Sequence, residues 1–208
     1  MIAKKGTKQR RAREKAGLRE EILDAARTLF VREGYESVSI RKIADKVEYA
    51  PGTIYLYFRD KAEILDRICE ETFGKLIVRL EAIEHDSAVP LDKLRRGLRT
   101  YIQFGLDHPH HYLLTFIQAK MNHQAESVFH TSGMKAFGVL RQCVQACVDA
   151  GELVSEDTDE LAQTMWAGMH GLTSLLITCE GFPFVEQSRL IDRMVETLVE
   201  GVRRRVKK

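Results

Sequence analysis

The chain has 208 residues, 44% hydrophobic and 30% charged, the composition of a globular protein with one or two domains. Four cysteines exclude a disulfide scaffold and suit a reducing cytoplasm, and no apolar run follows the first charges, so no secretory signal is expected. The net charge of +2 hides an asymmetry: residues 1–19 hold Lys4, Lys5, Lys8, Arg10, Arg11, Arg13, Lys15 and Arg19 against Glu14 alone, a local +7 that leaves −5 for the rest. Split instead at residue 67, the two parts carry +5 and −3. A basic arm over residues 1–17 is expected to be flexible; such arms contact phosphate or serve as solubilising tails.

From Leu18 the pattern is helical throughout, and an all-α fold of about nine helices is expected. Leu18, Ile22, Ala25, Ala26, Leu29 and Phe30 recur at a spacing of three or four residues, one face of a first helix, and Gly34 ends it. Ser39 suits the N-cap of a short second helix containing Ile40, Ile43, Ala44 and Val47. After a break at Glu48–Tyr49–Ala50, Pro51 suits the first turn of a third helix with Ile54, Tyr55 and Phe58, because its missing N–H has no helical partner there. Asp60 with Glu63 resembles a capping box opening a fourth helix that runs to about His85.

A fifth helix is expected over about Leu91–Asp107, stopped by His108–Pro109, and a sixth over about His110–Met121. A seventh spans about Gln124–Ala150 and is closed by Gly151; an eighth spans about Thr158–Cys179 and a ninth about Phe184–Arg205. Leu161–Cys179 holds no Asp, Glu, Lys or Arg, but Gln163, His170, two glycines and several hydroxyls make it a buried or interface helix rather than a membrane span.

Three short helices packed around Ile22, Leu29, Phe30, Ile43, Ala44, Val47, Ile54 and Phe58 make a helix-turn-helix unit, which presents the start of its second helix to base edges. The run from Arg19 to Tyr35, then Ser39-Ile-Arg-Lys-Ile-Ala44, then Pro51-Gly-Thr-Ile-Tyr-Leu-Tyr-Phe-Arg-Asp-Lys-Ala-Glu-Ile-Leu65, resembles the N-terminal domain of the TetR/AcrR family of transcriptional regulators. Trp166-x-x-x-His170-Gly171 resembles a Trp-His-Gly signature in one C-terminal subgroup.

The resemblance implies a helix-turn-helix domain over 18–67 and a ligand-binding and dimerisation domain over 68–208. It places Ser39, Arg41 and Lys42 where the second helix approaches DNA, and Tyr49, Ala50, Pro51, Gly52 and Thr53 at the start of the recognition helix. Tyr55 and Tyr57 fall where thymine methyls or phosphates are met, and Lys61 matches a phosphate-contacting lysine; such backbone contacts fix register. A core role for Tyr55 and a solvated role for Lys61 are the plain alternatives.

Three adjacent residues depart from the family pattern. Glu48 replaces a turn glycine, at a cost of about 1 kcal/mol if its backbone is left-handed. Tyr49 replaces a small aliphatic residue, and Ala50 replaces a serine cap worth about 1 kcal/mol. Glu48 near DNA would also discourage some sites.

Phe73, Tyr101, Phe104, Tyr112, Phe116, Phe137, Trp166 and His170, with Met121 and Met169 beside them, are large apolar groups with a few polar tips. They are candidates for a small-molecule site between helices, or for an ordinary core. Lys120 and Arg141 are available to an anionic ligand. Met165, Met169, Leu172 and Leu176 form one apolar stripe, and Leu190, Met194, Leu198 and Val202 another. In the resembling family such helices pair across a homodimer.

His108, His110, His111, His123 and His130 cluster around a bend at Pro109 that scatters them, so no metal is expected. Cys143 and Cys147 share a helical face, but a disulfide within one helical turn is awkward. No nucleophile elbow, Walker loop or His-Glu-x-x-His is present, and neither an enzyme nor a cofactor is expected. The expected function is a cytoplasmic, ligand-responsive regulator, most simply a repressor. It would bind a near-palindromic operator in double-stranded DNA as a homodimer and be released by a small apolar or amphipathic effector, with no membrane partner. The alternative is an interaction or small-molecule-binding protein that keeps the fold without binding DNA.

Overall fold

The computed structural model describes residues 3–86, 88–118 and 129–204, and among these every regular element is helical. We number them α1 (Ala3–Glu33), α2 (Ile40–Lys46), α3 (Pro51–Ile54), α4 (Lys61–Glu84), α5 (Pro90–Asp107), α6 (Pro109–Tyr112), α7 (Met134–Asp149), α8 (Thr158–Thr178) and α9 (Gln187–Glu200). Two compact units emerge. One comprises the chain to Glu71 with the segment starting at His110, and the other Thr72–Pro109 with the chain from Phe129 on. The unit boundary therefore lies inside α4, a few residues beyond the position expected at 67, and α6 from His110 on belongs with the N-terminal unit.

The first unit is built on the apolar face of α1. Ile22, Leu23, Ala26 and Phe30 are fully buried against Ile43, Ala44, Ile54, Phe58, Ile64, Ile68 and Leu114. Gly34, at φ 80°, closes α1, its N–H donating to the Phe30 carbonyl at 3.0 Å, the left-handed stop that glycine takes without a Cβ clash. At the other end the expected flexible arm is helical from Ala3 and continuous with α1.

α4 opens as expected with reciprocal caps: Asp60 Oδ1 accepts the Glu63 N–H at 2.8 Å, while Glu63 Oε2 reaches one residue further back, to the Arg59 N–H at 2.7 Å. After α6 the chain widens into a π-type turn over Leu113–Gln118, where the periodicity suggested a continuing α-helix. Met121, with the rest of that expected helix, lies outside the described residues.

In the second unit α5 packs against α7, α8 and α9, and α8 against α7 and α9. The buried faces are Leu91, Leu94, Leu98 and Ile102 on α5, Val144 and Cys147 on α7, Leu161, Met165 and Met169 on α8, and Ile191, Val195 and Val199 on α9. Arg95 ties α5 to Glu196 (3.1 Å) and Glu200 (2.7 Å) of α9, and Arg99 ties it to Asp192 at 3.0 Å.

α9 is shorter than its pattern at both ends. Glu186 caps it by accepting from the Ser188 and Arg189 N–H groups. Beyond Glu200 the backbone is drawn into bonds with the α7–α8 loop, Val154 N–H to Val202 O at 2.9 Å and Arg204 N–H to Glu152 O at 3.0 Å. The expected start of α7 near Gln124 lies outside the described residues; Phe129–Gly133 forms a second π-type turn before Met134. No described helix is long and apolar enough to cross a membrane.

Candidate nucleic-acid interface

Ser39 starts α2 in extended backbone (φ −111°, ψ 160°), its Oγ accepting the Lys42 N–H at 3.2 Å. The end of α2 is a Schellman turn: the Tyr49 N–H donates to Ala44 O at 3.0 Å and the Glu48 N–H to Asp45 O at 3.3 Å, the bond pattern that closes around a left-handed residue. That residue is Glu48, at φ 60°, the one positive-φ non-glycine among those described. The strain expected from the missing glycine is therefore present.

α3 follows at once. Ala50 caps it through its backbone only, its carbonyl accepting the Thr53 N–H at 2.8 Å, and Pro51 fills the first position. Ile54 and Phe58 point into the core and are 0% and 1% exposed, so the residues between them turn outward. Tyr49 is 44%, Tyr55 56% and Leu56 74% exposed. Tyr55 is thus a surface aromatic and not part of the core, whereas Tyr57 packs on that core. A Cβ at Gly52 would meet nothing within 4 Å, so the first turn of α3 is bare backbone open to a close approach. Thr53 and Pro51 are half-buried beside it.

The cations around this surface differ in what they already hold. Lys42 Nζ pairs with Glu33 Oε2 at 2.6 Å and donates to Ser37 O at 3.0 Å; that hydrogen bond holds the Glu33 carboxyl below its ordinary pKa. Lys61 Nζ donates to Tyr35 O at 2.7 Å and stands 4.0 Å from the centre of the Tyr35 ring. Both lysines secure the end of α1, so their ammonium groups are partly committed to the protein. Arg41 is exposed on α2 and forms no ion pair among the described residues. Leu56 escaped the sequence reading, although the burial of positions 54 and 58 on a single turn is a signal that forces 55 and 56 outward.

The residues expected to meet a ligand fall in both units. In the second unit Phe73, Tyr101 and Phe104 are buried. Phe137 lies 6.1 Å from the Trp166 ring and Trp166 lies 5.9 Å from His170. The Trp166 indole N–H donates to Tyr101 Oη at 3.3 Å, and the same hydroxyl is 3.2 Å from His170 Nδ1. Tyr112 and Phe116 stack at 4.8 Å in the first unit. Arg141, a candidate for an anionic ligand, is paired with Asp159, and Lys120 lies outside the described residues.

The α8 stripe requires a correction. Met165, Met169 and Leu172 are buried within the single chain at 1%, 2% and 5% exposure, on a helix that packs against α5, α7 and α9. A stripe reveals an apolar face but not what lies over it. Leu176, Leu190, Met194, Leu198 and Val202 stay half-buried, with Leu198 seated on Gly168 so tightly that a Cβ there would come within 2.9 Å. Leu175, outside the stripe, is 49% exposed.

Among the other clusters, His108 abuts Arg79 (3.2 Å) and the Phe104 ring. His123 and the His130 side chain lie outside the described residues. Cys143 and Cys147 are free thiols, and their mutual hydrogen bond lowers the pKa of the first and raises that of the second.

Comparison with known proteins places these units in a family. Residues 22–68 match the family model for bacterial regulatory proteins of the tetR family, and residues 94–198 match the Tetracyclin repressor-like C-terminal domain. The chain belongs to the TetR family. It is 38% identical over 74 residues to the fatty acid metabolism regulator protein of Bacillus subtilis, covering 36% of this chain and 38% of that one. It is 32% identical over 76 residues to the transcriptional repressor KstR of Mycobacterium tuberculosis, covering 36% and 34%. The chain thus spans about a third to a half of the length of the curated relatives it matches.

Its fold is similar to that of FadR from Bacillus subtilis solved with stearoyl-CoA (TM-score 0.76, 22% identity, 88% of this chain and 98% of that one). It is also similar to the ketosteroid regulator KstR2 of Mycobacterium tuberculosis (TM-score 0.73, 16% identity, 90% and 95%).

Proposed function

We propose that this TetR-family regulator is a repressor that binds a near-palindromic operator as a homodimer and is released by a small apolar or amphipathic effector. The observation that supports it best is the exposed set Arg41, Tyr49, Tyr55 and Leu56 around the bare backbone of Gly52, held by a sealed core beneath. Aromatic and apolar side chains in that position suit thymine methyls, and arginine suits phosphate or guanine. Two copies would present their α3 segments to successive major grooves about 34–36 Å apart.

The half-buried Leu190 and Met194 with the exposed Leu175 are the apolar surface offered to the second copy. The Tyr101–Trp166–His170 group supplies polar tips within an aromatic setting, suited to the head of an amphipathic molecule. The stearoyl-CoA complex of one fold neighbour and the ketosteroid regulator that is another support an acyl or sterol-like class. Release requires only that the effector prefer the conformer with the wrong spacing, and its leverage is limited to that differential affinity.

The test is fluorescence anisotropy with duplex DNA from upstream of the protein's own gene, in excess competitor DNA. A retained complex weakened by stearoyl-CoA is expected. A complex lost to competitor would mean that Glu48 and Ala50 have ended operator reading and that the chain keeps only the fold. A complex retained but unmoved by stearoyl-CoA would remove the acyl class. Sedimentation of Met194→Glu, expected to yield monomers at low micromolar concentration, checks the second copy.

A further inference from the structure

α7 carries two of the chain's four cysteines one helical turn apart. Cys143 and Cys147 are free thiols, and residues at i and i+4 lie on one face of a helix. Cys147 is fully buried and Cys143 is half-buried, so the pair runs from the core of the second unit to its edge. The two thiols hydrogen-bond to each other. They belong neither to the reading surface nor to the Tyr101–Trp166–His170 group.

A disulfide does not suit this spacing. Cβ atoms at i and i+4 of a helix are about 5–6 Å apart, whereas a disulfide draws them to about 3.5–4.5 Å. Closing it would distort the last turn of α7, and that turn is tied down. The Cys147 carbonyl accepts the Glu152 N–H at 3.0 Å and the Leu153 N–H at 3.3 Å. Glu152 is held in turn, its Oε2 accepting the Leu91 N–H at 3.1 Å and its carbonyl the Arg204 N–H at 3.0 Å. An ion between the two sulfurs supplies the missing length and leaves the helix as it is.

The number and kind of donors decide which ion. Both are sulfur, and thiolates select soft ions, Cu(I) among them. Structural zinc takes four ligands, whereas among the described residues no group of three or more His, Cys, Asp and Glu is placed to hold a metal. Two thiolates with one Cu(I) carry one net negative charge. Lys93 and Arg95, both on α5, act electrostatically on Cys143 and Cys147 respectively, against Glu84 and Glu152. Positive charge is therefore at hand on the helix that α7 packs against.

We propose that Cys143 and Cys147 form a two-coordinate clamp for a soft monovalent cation, Cu(I). Binding breaks two S–H bonds, forms two Cu–S bonds and releases two protons to water, with the oxidation state of copper unchanged. The ion enters at the half-buried Cys143 and is held from beneath by Cys147. The clamp bridges the last turn of α7 and stiffens it as far as Glu152, where the start of α5 and the chain beyond α9 are attached. It goes beyond operator binding and stands whether or not the chain binds DNA.

The test is anaerobic titration of the full chain with Cu(I) in competition with bathocuproine disulfonate, a coloured Cu(I) chelator. Cys143→Ser and Cys147→Ala each remove one arm of the clamp, and Cys179→Ser is the control away from it. Wild type and the control are expected to hold one copper per chain. Each clamp variant is expected to bind at least about 100-fold more weakly, the loss that follows when one of two linked contacts is removed. Copper should also raise the Tm of wild type and leave that of Cys143→Ser unmoved. Cys143→Ser, at the half-buried position, decides the matter if Cys147→Ala fails to fold.

A wild type that holds no copper against the chelator, an affinity unchanged by Cys143→Ser, or an equal loss in Cys179→Ser would overturn the proposal. So would one copper for every two chains, since the ligands would then come from two copies and not from one helical turn.

Discussion

Glu48→Gly isolates the strain at the turn. At φ 60° the glutamate backbone sits in the region that a Cβ disfavours by about 1–2 kcal/mol. Glycine removes that term but makes the unfolded chain freer, which returns about 0.4–1 kcal/mol. The Schellman bonds to Ala44 and Asp45 carbonyls are backbone bonds and survive the change. The net gain is about 0.5–1 kcal/mol, a rise in Tm of about 1–4 °C for a chain of this size. Thermal unfolding followed by far-ultraviolet circular dichroism reads it directly. Glu48→Ala is the control, because it removes the carboxylate but keeps the Cβ; it is expected to stay within about 0.5 kcal/mol of wild type. A glycine variant that melts at or below wild type would refute the strain argument. An alanine variant that gains as much as glycine would assign the effect to charge.

Lys61→Ala deletes both the bond to Tyr35 O and the ammonium over its ring, so urea unfolding is expected to lose about 1–2 kcal/mol with an unchanged m-value; an unchanged midpoint would return Lys61 to DNA contact alone. Burial, then the neighbouring Arg79, lowers the His108 pKa from its ordinary 6.5. The folded state then holds less proton than the unfolded one, so this stability is whole above about pH 6.5 and is lost as pH falls through the folded value. His108→Gln should flatten the fall in Tm below pH 6.5, and parallel curves would exclude that residue. Tyr55→Ala and Leu56→Ala should leave stability within about 0.5 kcal/mol while each costs about 1–2 kcal/mol in operator affinity, a split that denaturation and anisotropy measure together. Gly168→Val forces Leu198 away from α8 and should cost about 1–3 kcal/mol; an unshifted midpoint would mean the α8–α9 contact yields freely.

The elements that periodicity and punctuation describe well are those whose partners are near in sequence. Gly34, Ser39, Pro51 and the Asp60–Glu63 pair act within a turn of their own position, and each does what its residue type dictates. The first core, from Ile22 to Ile68, was legible because every apolar face in a short bundle must point inward. What stayed hidden depends on tertiary neighbours. Met165, Met169 and Leu172 form a clear stripe, but only the packing of α8 within the second unit shows that their own chain buries it. The sequence places Lys42 and Lys61 on the DNA side, but it does not reveal the Glu33 carboxylate and the Tyr35 carbonyl that their ammonium groups hold. The early end of α9 follows from backbone bonds to Glu152 and Val154, residues about 50 positions away that no local window contains.

The shortness of α3 has a consequence for control. A helix of four residues has no stability apart from the packing of Ile54 and Phe58 and no hinge within it, so it cannot change shape without melting its own unit. In the proposed homodimer an effector would then have no route to altering which bases are preferred; it could only alter how two intact reading surfaces are presented. Induction should therefore weaken strong and weak operators by the same factor, keeping their rank order at every effector concentration.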